Sequence, residues 1–355
     1  MKTGIITFPT AINYGTALQA AALGNALASY GNDVSFLDHR CPLIDQSNSI
    51  FNLSEIFDIK YTLAHLINLD VSIKRKQKFK SFQKKYIPLA EDNPDAYDVL
   101  VAGSDQIWNY NLTDDDFYYF LDFKKNNNKK VSYAGSFGIA EVDEKYHQKL
   151  KRLFLDFDHI SVREKQAANI INNIAGIDVP VVVDPTLLLN KSQWEEMAKG
   201  TSSDSKYIFV YTVFNDEKLW DFAEKLSKDT GLPIKTISYS KLHRHNAIYD
   251  YTAGPSEWLG YIKDADYVVT NSFHGVAFSI NFKKNFFFNI PANAKSVGSR
   301  LLDITNRYGF ESRNLSGKLS FELNFEKCDA LLEQDRIFSH NFIKSFLNIK
   351  SNGSD

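Results

Sequence analysis

Short runs of β-branched and aromatic residues alternate along this chain with longer stretches suited to helices. The run at residues 4–8 is followed by an Ala/Leu-rich stretch at residues 16–30 and then by a second β-rich run at residues 34–38. Further strands are expected in this half at residues 98–102, 130–134, 159–162 and 179–183. Strands that alternate with helices predict a parallel sheet covered by helices, because parallel strands need a crossover connection. The pattern therefore indicates an α/β fold.

A second series of the same kind follows residues 184–189, where Pro185 disfavours continuation of the preceding strand. Strands are expected in this series at residues 207–213, 234–239, 267–270 and 285–289. A chain of 355 residues is also too long for one compact core. We therefore predict two Rossmann-like, doubly wound domains that face each other across a cleft, formed by residues 1–186 and 187–355. A last helix, at about residues 336–347, could pack back on the first domain.

The composition argues against several classes of function. A formal net charge of -2 gives no overall attraction to nucleic acid. Cys41 and Cys328 lie far apart, which indicates neither a disulfide framework nor a zinc site. His243 and His245 form an H-x-H pair without a companion carboxylate cluster, so we expect no metal. The N-terminal apolar run is interpreted as a strand and not a signal peptide, and no run approaches the ~18 apolar residues of a membrane span. We expect a cytoplasmic protein.

A basic stretch around Lys74 to Lys85 is expected to be helical. Such a helix is usually a solvated face. Alternatively, it could rest on anionic lipid and place the protein at the inner face of a membrane.

Polar motifs follow several of the predicted strands in the first half. Asn13, Tyr14 and Gly15 come after the first strand and open a helix, where backbone N–H groups favour an anionic or hydroxyl-rich ligand. The alternative is an N-capping turn, with Asn13 or Thr16 as the cap. The carboxyl ends of parallel strands are where ligands bind in such sheets, so the motifs that follow strands are candidates for a site.

Residues 102–109 follow a buried strand and combine a carboxylate, an amide and an indole. Asp105 and Gln106 could exchange hydrogen bonds with sugar hydroxyls while Trp108 covers the apolar face of the ring. Asp105 could also act as a general base toward a hydroxyl. The alternative is a loop in which the tryptophan is simply buried and the aspartate caps a turn.

The next two strands end in Ser136 and in Arg163. Ser136 lies in a glycine-flanked loop that we expect near the same crevice. Arg163 could hold a carboxylate or a phosphate with two hydrogen bonds. A surface ion pair between Arg163 and Glu164 is the alternative.

The second half has its main candidate site at residues 270–275. An apolar strand leads to Asn271, Ser272 and His274 at the start of a helix, followed by Gly275. A helix N-terminus attracts phosphate, and a histidine there can act as an acid near neutral pH. Downstream, a small basic loop leads into a helix and is suited to a phosphate or carboxylate, although a capped helix start would look similar. Its polar residues are Lys295, Ser299 and Arg300.

Taken in order, these motifs resemble those of the polysaccharide pyruvyl transferase family. The matching segments are Asn13-Tyr14-Gly15 with Leu18-Gln19, and residues 103–109, 133–138, 161–164, 184–188 and 271–275. The resemblance extends from the first strand to about Arg300. It implies a GT-B-like fold of two domains and phosphoenolpyruvate as co-substrate, with no further cofactor.

The resemblance also implies a division of roles between the domains. His274 and Asp105 would be catalytic. The donor would lie on the second domain, and the expected donor-binding residues are Asn271, Ser272, Gly275, Lys295, Ser299, Arg300 and Arg163. The sugar acceptor would lie on the first domain, at Asn13, Tyr14, Gly15, Gln19, Gln106, Trp108, Asn109, Ser136 and Phe137. Some members carry an arginine two positions before the histidine, where this chain has Ser272, so another cation must serve: Arg300, Lys295 or Arg163.

The expected reaction is transfer of the enolpyruvyl group to vicinal or 4,6-type hydroxyls of a sugar as a ketal, with release of phosphate. The sugar would belong to the repeat unit of a cell-surface polysaccharide, such as an exopolysaccharide or capsule, and a lipid-linked oligosaccharide is one candidate acceptor. Two alternatives are a GT-B-type glycosyltransferase that uses a nucleotide sugar and a catalytically inactive carbohydrate-binding protein.

Overall fold

The chain divides into two compact units. The computed structural model describes residues 1–47, 59–123, 127–200, 206–291 and 295–349. The first unit comprises Met1–Asn48, Gln83–Leu189 and Leu332–Asp355, and the second comprises Ser49–Phe82 and Asn190–Leu331. The chain thus changes unit near residues 48, 82, 189 and 331, whereas the prediction has one division after residue 186.

The first unit contains a six-stranded parallel sheet. Its strands are β1 (Lys2–Ile6), β2 (Asp33–Leu37), β3 (Leu89–Ala90), β4 (Val99–Ala102), β5 (Lys129–Gly135) and β6 (His159–Val162), in the order β3-β2-β1-β4-β5-β6. This is the strand order of Rossmann folds, in which the winding reverses between β1 and β4. A crevice is therefore expected where the carboxyl ends of β1 and β4 lie side by side.

The second unit repeats this plan with five parallel strands. They are β7 (Ile208–Tyr211), β8 (Ile234–Ile237), β9 (Ile248–Asp250), β10 (Tyr267–Thr270) and β11 (Asn285–Phe288), in the order β11-β10-β7-β8-β9. Here the winding reverses between β7 and β10. The predicted α/β class with two Rossmann-like, doubly wound units is confirmed. That the two domains face each other across a cleft stays a prediction.

Helices connect the strands in both units. They are α1 (Tyr14–Ala28), α2 (Pro42–Ser47), α3 (Ile59–Tyr86), α4 (Tyr110–Thr113), α5 (His147–Leu155), α6 (Lys165–Ala175), α7 (Pro185–Leu188), α8 (Lys191–Met197), α9 (Glu217–Thr230), α10 (Pro255–Asp264), α11 (Phe273–Asn281), α12 (Lys295–Tyr308) and α13 (Glu326–Phe346). Small side chains let α1 lie almost fully buried in the first unit, and Asn13 begins it by accepting a hydrogen bond from the Thr16 backbone N–H at 3.1 Å.

The strand predicted at residues 179–183 does not form. This segment makes a single bridge, between Val181 and Val162, at the edge of β6. Pro180 has no N–H to donate to a ladder, and Pro185 turns the chain into α7, so pairing cannot extend in either direction.

The last part of α13 packs on the first unit. Arg336 Nε donates to the Leu187 carbonyl at 2.7 Å, and the Val183 N–H donates to Ser339 Oγ at 3.1 Å. Lys129 Nζ donates to the Phe346 carbonyl at 3.0 Å, at the C-terminus of the helix, where a cation is favoured. Residues from Leu332 onward therefore form part of the first unit.

The basic stretch on α3 is only partly a solvated face. Arg75 is buried: its guanidinium donates to the Ser238 carbonyl at 2.8 Å and lies 4.1 Å from the ring centroid of Tyr239. Phe79 and Phe82 are buried as well, whereas Lys74 and Lys80 are exposed. Across the part of the chain that the structure describes, no helix is both long enough and apolar enough to cross a membrane.

Candidate functional site

In the first unit, the loops that follow β1 and β4 are tied together at the point where the winding reverses. Thr7 Oγ1 donates to the Ser104 carbonyl at 3.1 Å. Gln19 bridges the same two loops, because its Nε2 donates to Thr7 Oγ1 at 3.3 Å and its Oε1 accepts from the Ser104 N–H at 3.3 Å. Gln19 is fully buried. Gln19 therefore holds the two loops together by hydrogen bonds.

Asp105 is held firmly at this edge of the sheet. Its φ of 79° lies in the left-handed region, which aspartate tolerates better than most residues. One carboxylate oxygen accepts from Thr16 Oγ1 at 2.6 Å, and the other accepts from the Gln106 N–H at 2.9 Å. The side chain keeps 14% of its surface exposed. The structure thus brings Asp105 to the first turn of α1, beside the Asn13 motif.

The aromatic residues predicted to contact a sugar lie in the core. Trp108 is fully buried, its Nε1 donates to the Tyr119 carbonyl at 3.2 Å, and its ring stacks on Phe120 at a centroid distance of 5.6 Å. Tyr14 and Phe137 are also buried. In this conformation these rings offer no surface to a ligand, so they shape the loops from inside.

The other predicted acceptor residues differ in how accessible they are. Asn13 is exposed and Gln106 is partly exposed, whereas Gly15 is buried. Asn109 is buried and caps α4 by accepting from the Asn111 N–H at 3.1 Å. The accessible polar groups that the structure brings together here are therefore those of Asn13, Asp105 and Gln106.

Arg163 lies behind Asp105 in a buried cluster of charges. Its Nη1 donates to Asp184 at 3.0 Å and lies 3.9 Å from Asp105, and its Nε donates to Glu164 at 3.4 Å. Burial lowers the pKa of Arg163, but the three carboxylates outweigh this effect and raise it above its ordinary value. Ser136 belongs to the same cluster, since its Oγ donates to Glu164 at 2.7 Å. Arg163 is thus committed to carboxylates of the first unit, which does not favour the predicted role toward a donor on the second.

In the second unit, Asn271 ties together the loops that follow β7 and β10. Its Oδ1 accepts from the Val213 N–H at 2.8 Å, and its Nδ2 donates to the Phe214 carbonyl at 2.9 Å. The side chain is fully buried. Asn271 therefore holds the loop after β7 against the start of α11.

The start of α11 has a neutral cap. Ser272 Oγ accepts from the Gly275 N–H at 3.3 Å. A Cβ atom on Gly275 would lie 2.4 Å from Thr270 Oγ1, so glycine is required for α11 to approach β10 this closely. His274 lies in the first turn and is partly exposed, with its ring edge-on to Phe273. The predicted residues 271–275 are thus placed together at the carboxyl end of β10.

The neighbouring helix α9 has a charged cap that sequence reasoning missed. Asp216 accepts from the Leu219 N–H at 3.2 Å, and Asn289 Nδ2 donates to both of its carboxylate oxygens at 3.0 Å. The available signal was positional, because Asn289 is the polar end of the strand predicted at residues 285–289. A carboxylate caps α9, whereas the cap of α11 is the neutral hydroxyl of Ser272. An added anion is therefore favoured at α11.

The basic loop predicted before α12 is helical, because α12 already begins at Lys295. Arg300 is buried and Ser299 is partly exposed, while the side chain of Lys295 lies outside the described residues. Among the described residues, no group of three or more His, Cys, Asp or Glu side chains could hold a metal ion.

Comparison with known proteins adds a family and a fold. A family model described as polysaccharide pyruvyl transferase matches residues 13–288, which is most of the chain. Among solved structures, a protein from Listeria monocytogenes assigned as a UDP-N-acetylglucosamine 2-epimerase has a TM-score of 0.50 at 11% identity, covering 100% of this chain and 98% of that one. The UDP-GlcNAc 2-epimerase from Methanocaldococcus jannaschii has a TM-score of 0.46 at 12% identity, with 94% and 92% covered. The comparison with curated proteins gives no match. The likeness to the Listeria protein supports the GT-B-like fold and nothing beyond the fold.

Proposed function

The chain belongs to the polysaccharide pyruvyl transferase family, and we propose on that basis that it transfers the enolpyruvyl group of phosphoenolpyruvate to two hydroxyls of a sugar. The observation that carries this proposal is the start of α11, where a neutral serine cap and His274 follow the strand at which the second sheet reverses its winding. Phosphoenolpyruvate carries a phosphate and a carboxylate, and both are groups that a helix N-terminus attracts.

The electrostatics of the two units favour different substrates. At the second unit, Ser272 adds no charge to the N-terminus of α11, which suits an anionic donor. At the first unit, the accessible carboxylate of Asp105 would repel an anion but can accept hydrogen bonds from hydroxyls. We therefore place the donor at α11, with Arg300 on α12 as the candidate cation, and the sugar at Asp105, Gln106 and Asn13.

The proposed reaction begins with protonation of the donor. C3 of phosphoenolpyruvate gains a proton and becomes a methyl group, which makes C2 electrophilic. Two sugar hydroxyls attack C2 in turn, and the bond from C2 to the phosphate oxygen breaks. One hydroxyl proton balances the proton gained at C3, and the other leaves with inorganic phosphate. His274 would supply the proton to C3 or stabilise the leaving phosphate, and Asp105 would take a proton from a hydroxyl.

Ligand-induced thermal stabilisation tests the donor site directly. A ligand that binds only the folded form at a hundredfold excess over its Kd stabilises by ~2.7 kcal/mol. We therefore expect phosphoenolpyruvate to raise the melting temperature by several degrees, and a panel of nucleotide sugars to leave it unchanged. The release of inorganic phosphate in the presence of candidate sugars provides the matching activity assay.

Substitutions at the cap of α11 make this test specific. Ser272→Asp retains a good helix cap but places a negative charge at the N-terminus, so we expect it to abolish stabilisation by phosphoenolpyruvate. Ser272→Asn is the matched neutral cap and should retain it. Stabilisation by a nucleotide sugar alone would identify a glycosyltransferase instead. Equal responses of the two variants to phosphoenolpyruvate would contradict the placement of the donor.

We also propose that the exposed face of α3 contacts anionic lipid, which would bring the protein to a lipid-linked acceptor. Leu66 is 56% exposed, Ile67 is 40% exposed and Ile73 is 39% exposed, and the exposed Lys74 and Lys80 follow on the same helix. Apolar side chains beside lysines match the acyl and headgroup regions of an anionic membrane surface.

Co-sedimentation with lipid vesicles tests this contact. We expect binding to vesicles that contain phosphatidylglycerol and little binding to pure phosphatidylcholine, with loss of binding in Leu66→Ser/Ile67→Ser/Ile73→Ser. Leu155→Ser, at a 58% exposed leucine on α5, is the matched control and should bind like the wild type. Binding that does not depend on anionic lipid, or that survives the triple substitution, would contradict the proposal.

A further inference from the structure

Three segments at the carboxyl edge of the first sheet meet at His39. His39 follows β2, Asp92 follows β3, and Asp116 precedes the 3₁₀ turn Phe117–Phe120. The imidazole Nδ1 lies 2.9 Å from an Asp92 oxygen, and Nε2 lies 2.6 Å from an Asp116 oxygen. None of these residues has a part in the reaction proposed above.

The geometry requires a particular protonation state of the imidazole. A carboxylate can only accept hydrogen bonds, so both ring nitrogens must carry a proton for both contacts to be hydrogen bonds. The ring also stacks on Tyr118 at a centroid distance of 3.7 Å, and the Tyr118 hydroxyl donates to Asp92. The imidazole therefore makes both hydrogen bonds, to Asp92 and to Asp116, when His39 is positively charged.

The charges around His39 favour its protonated form. Burial lowers its pKa, but the hydrogen bonds to Asp116 and Asp92 outweigh burial and raise the pKa above the ordinary value. The titratable and charged groups that surround it are Asp92, Asp116, Tyr118 and Tyr119, with Asp38 and Arg40 on its own segment and Lys149 acting on Asp116. Arg40 is largely engaged elsewhere, with Asp38 at 3.4 Å and Asp45 at 3.6 Å.

A chain of contacts leads from His39 to the loop that carries Asp105. The second oxygen of Asp116 accepts from the Tyr118 N–H at 2.9 Å and so caps the 3₁₀ turn. Within that turn, the Tyr119 carbonyl accepts from Trp108 Nε1, and Phe120 stacks on the Trp108 ring. Trp108 belongs to the loop after β4, three residues beyond Asp105. Movement of Asp116 would therefore be transmitted to this loop.

We propose that His39, in its doubly protonated form, is a positioning residue for the loop at residues 103–109, and that loss of one proton loosens this loop. A histidine whose pKa is raised in the folded state stabilises below its unfolded pKa, and that contribution is lost as the pH rises through the folded pKa. The loop is thus ordered below the pKa of His39 and loosens as the pH rises through that pKa. The effect on the loop is independent of the proposed function, and only its consequence for acceptor binding rests on it.

Hydrogen exchange measured by mass spectrometry tests the proposal without an activity assay. In the wild type, after correction for the intrinsic pH dependence of exchange, we expect protection of residues 103–109 and 117–120 to fall roughly tenfold or more as the pH passes the pKa of His39, because a charge-assisted hydrogen bond is lost. The pKa itself is measured from the imidazole resonances by NMR. Residues 271–276, in the second unit, are the internal control and should show no such step.

Two variants separate positioning from a general structural role. Asp92→Asn removes a charge that raises the pKa of His39, so both the NMR pKa and the step in exchange should move together to lower pH. His39→Gln should abolish the step, with low protection at every pH, whereas His243→Gln, in the second unit, should behave as the wild type. If phosphoenolpyruvate is the donor, the KM for the acceptor should rise at the same pH as the step, with the KM for the donor unchanged.

Two results would overturn the proposal. The first is that residues 103–109 are protected equally in His39→Gln and in the wild type. The second is that Asp92→Asn shifts the pKa of His39 while the step in exchange stays at the same pH. A protein that fails to use phosphoenolpyruvate but shows the step would refute the proposed function and leave the positioning role standing.

Discussion

His274→Ala is expected to lower kcat for phosphate release by about 10²–10⁴-fold, the contribution usual for a positioned acid or base. His274 lies in the first turn of α11, whose cap at Ser272 and close packing at Gly275 do not involve the imidazole. The fold should therefore survive the substitution, and the loss should appear in kcat more than in the KM for phosphoenolpyruvate.

Steady-state phosphate release, with circular dichroism to verify folding, provides the measurement. His243→Ala removes an exposed histidine elsewhere in the second unit and is the matched control. An unchanged kcat in His274→Ala would remove this residue from the chemistry and leave the helix N-terminus as a binding site alone.

Arg163→Met is expected to destabilise the first unit by about 3–5 kcal/mol, because it leaves buried carboxylates without their cation. Asp184 and Glu164 both lose a hydrogen bond from the guanidinium, and Asp105 loses a charge 3.9 Å away. Protonation of these carboxyl groups would relieve the repulsion. The difference in unfolding free energy between variant and wild type should therefore shrink as the pH falls.

Urea unfolding at neutral and mildly acidic pH measures this difference. Arg152→Met is the control: Arg152 is 64% exposed and pairs with Asp122 at 2.8 Å, and such surface pairs contribute at most about 1 kcal/mol. Adding Asp184→Asn to Arg163→Met should restore part of the stability, since it removes one of the unpaired charges. A cost for Arg163→Met no larger than that for Arg152→Met would show that the cluster is not a buried ion network.

The sequence was sufficient to predict the class of fold and where polar loops follow the strands, because both signals are local. Strands such as β4 and β10 are apolar runs followed closely by polar residues, and both signals lie within a few residues of each other. The short edge strands β3 and β9 were not predicted, because two or three residues carry no periodicity. The segment at residues 179–183 looked like a strand by composition, but Pro180 limits its pairing.

What the sequence could not show depended on residues far apart along the chain. A tryptophan is equally plausible on a sugar or in a core, and the choice for Trp108 is made by contacts with Phe120 and Phe154, the latter on a later helix. Arg163 likewise looked like a surface partner of Glu164 until Asp184 and Asp105 were found beside it. The assignment of α3 and of the end of α13 to a unit could not be predicted either, because no local signal marks which sheet a helix will cover.

The position of α13 determines the order in which the protein can mature on the ribosome. In the first unit, Leu187 accepts a hydrogen bond from Arg336 and Val183 donates one to Ser339, and both α13 residues are synthesised after the whole of the second unit. Domains usually fold in the order in which they emerge, but here the unit that contains the N-terminus can be completed only after translation has passed α13. Until then the surface of the first unit that α13 will cover remains exposed on the nascent chain.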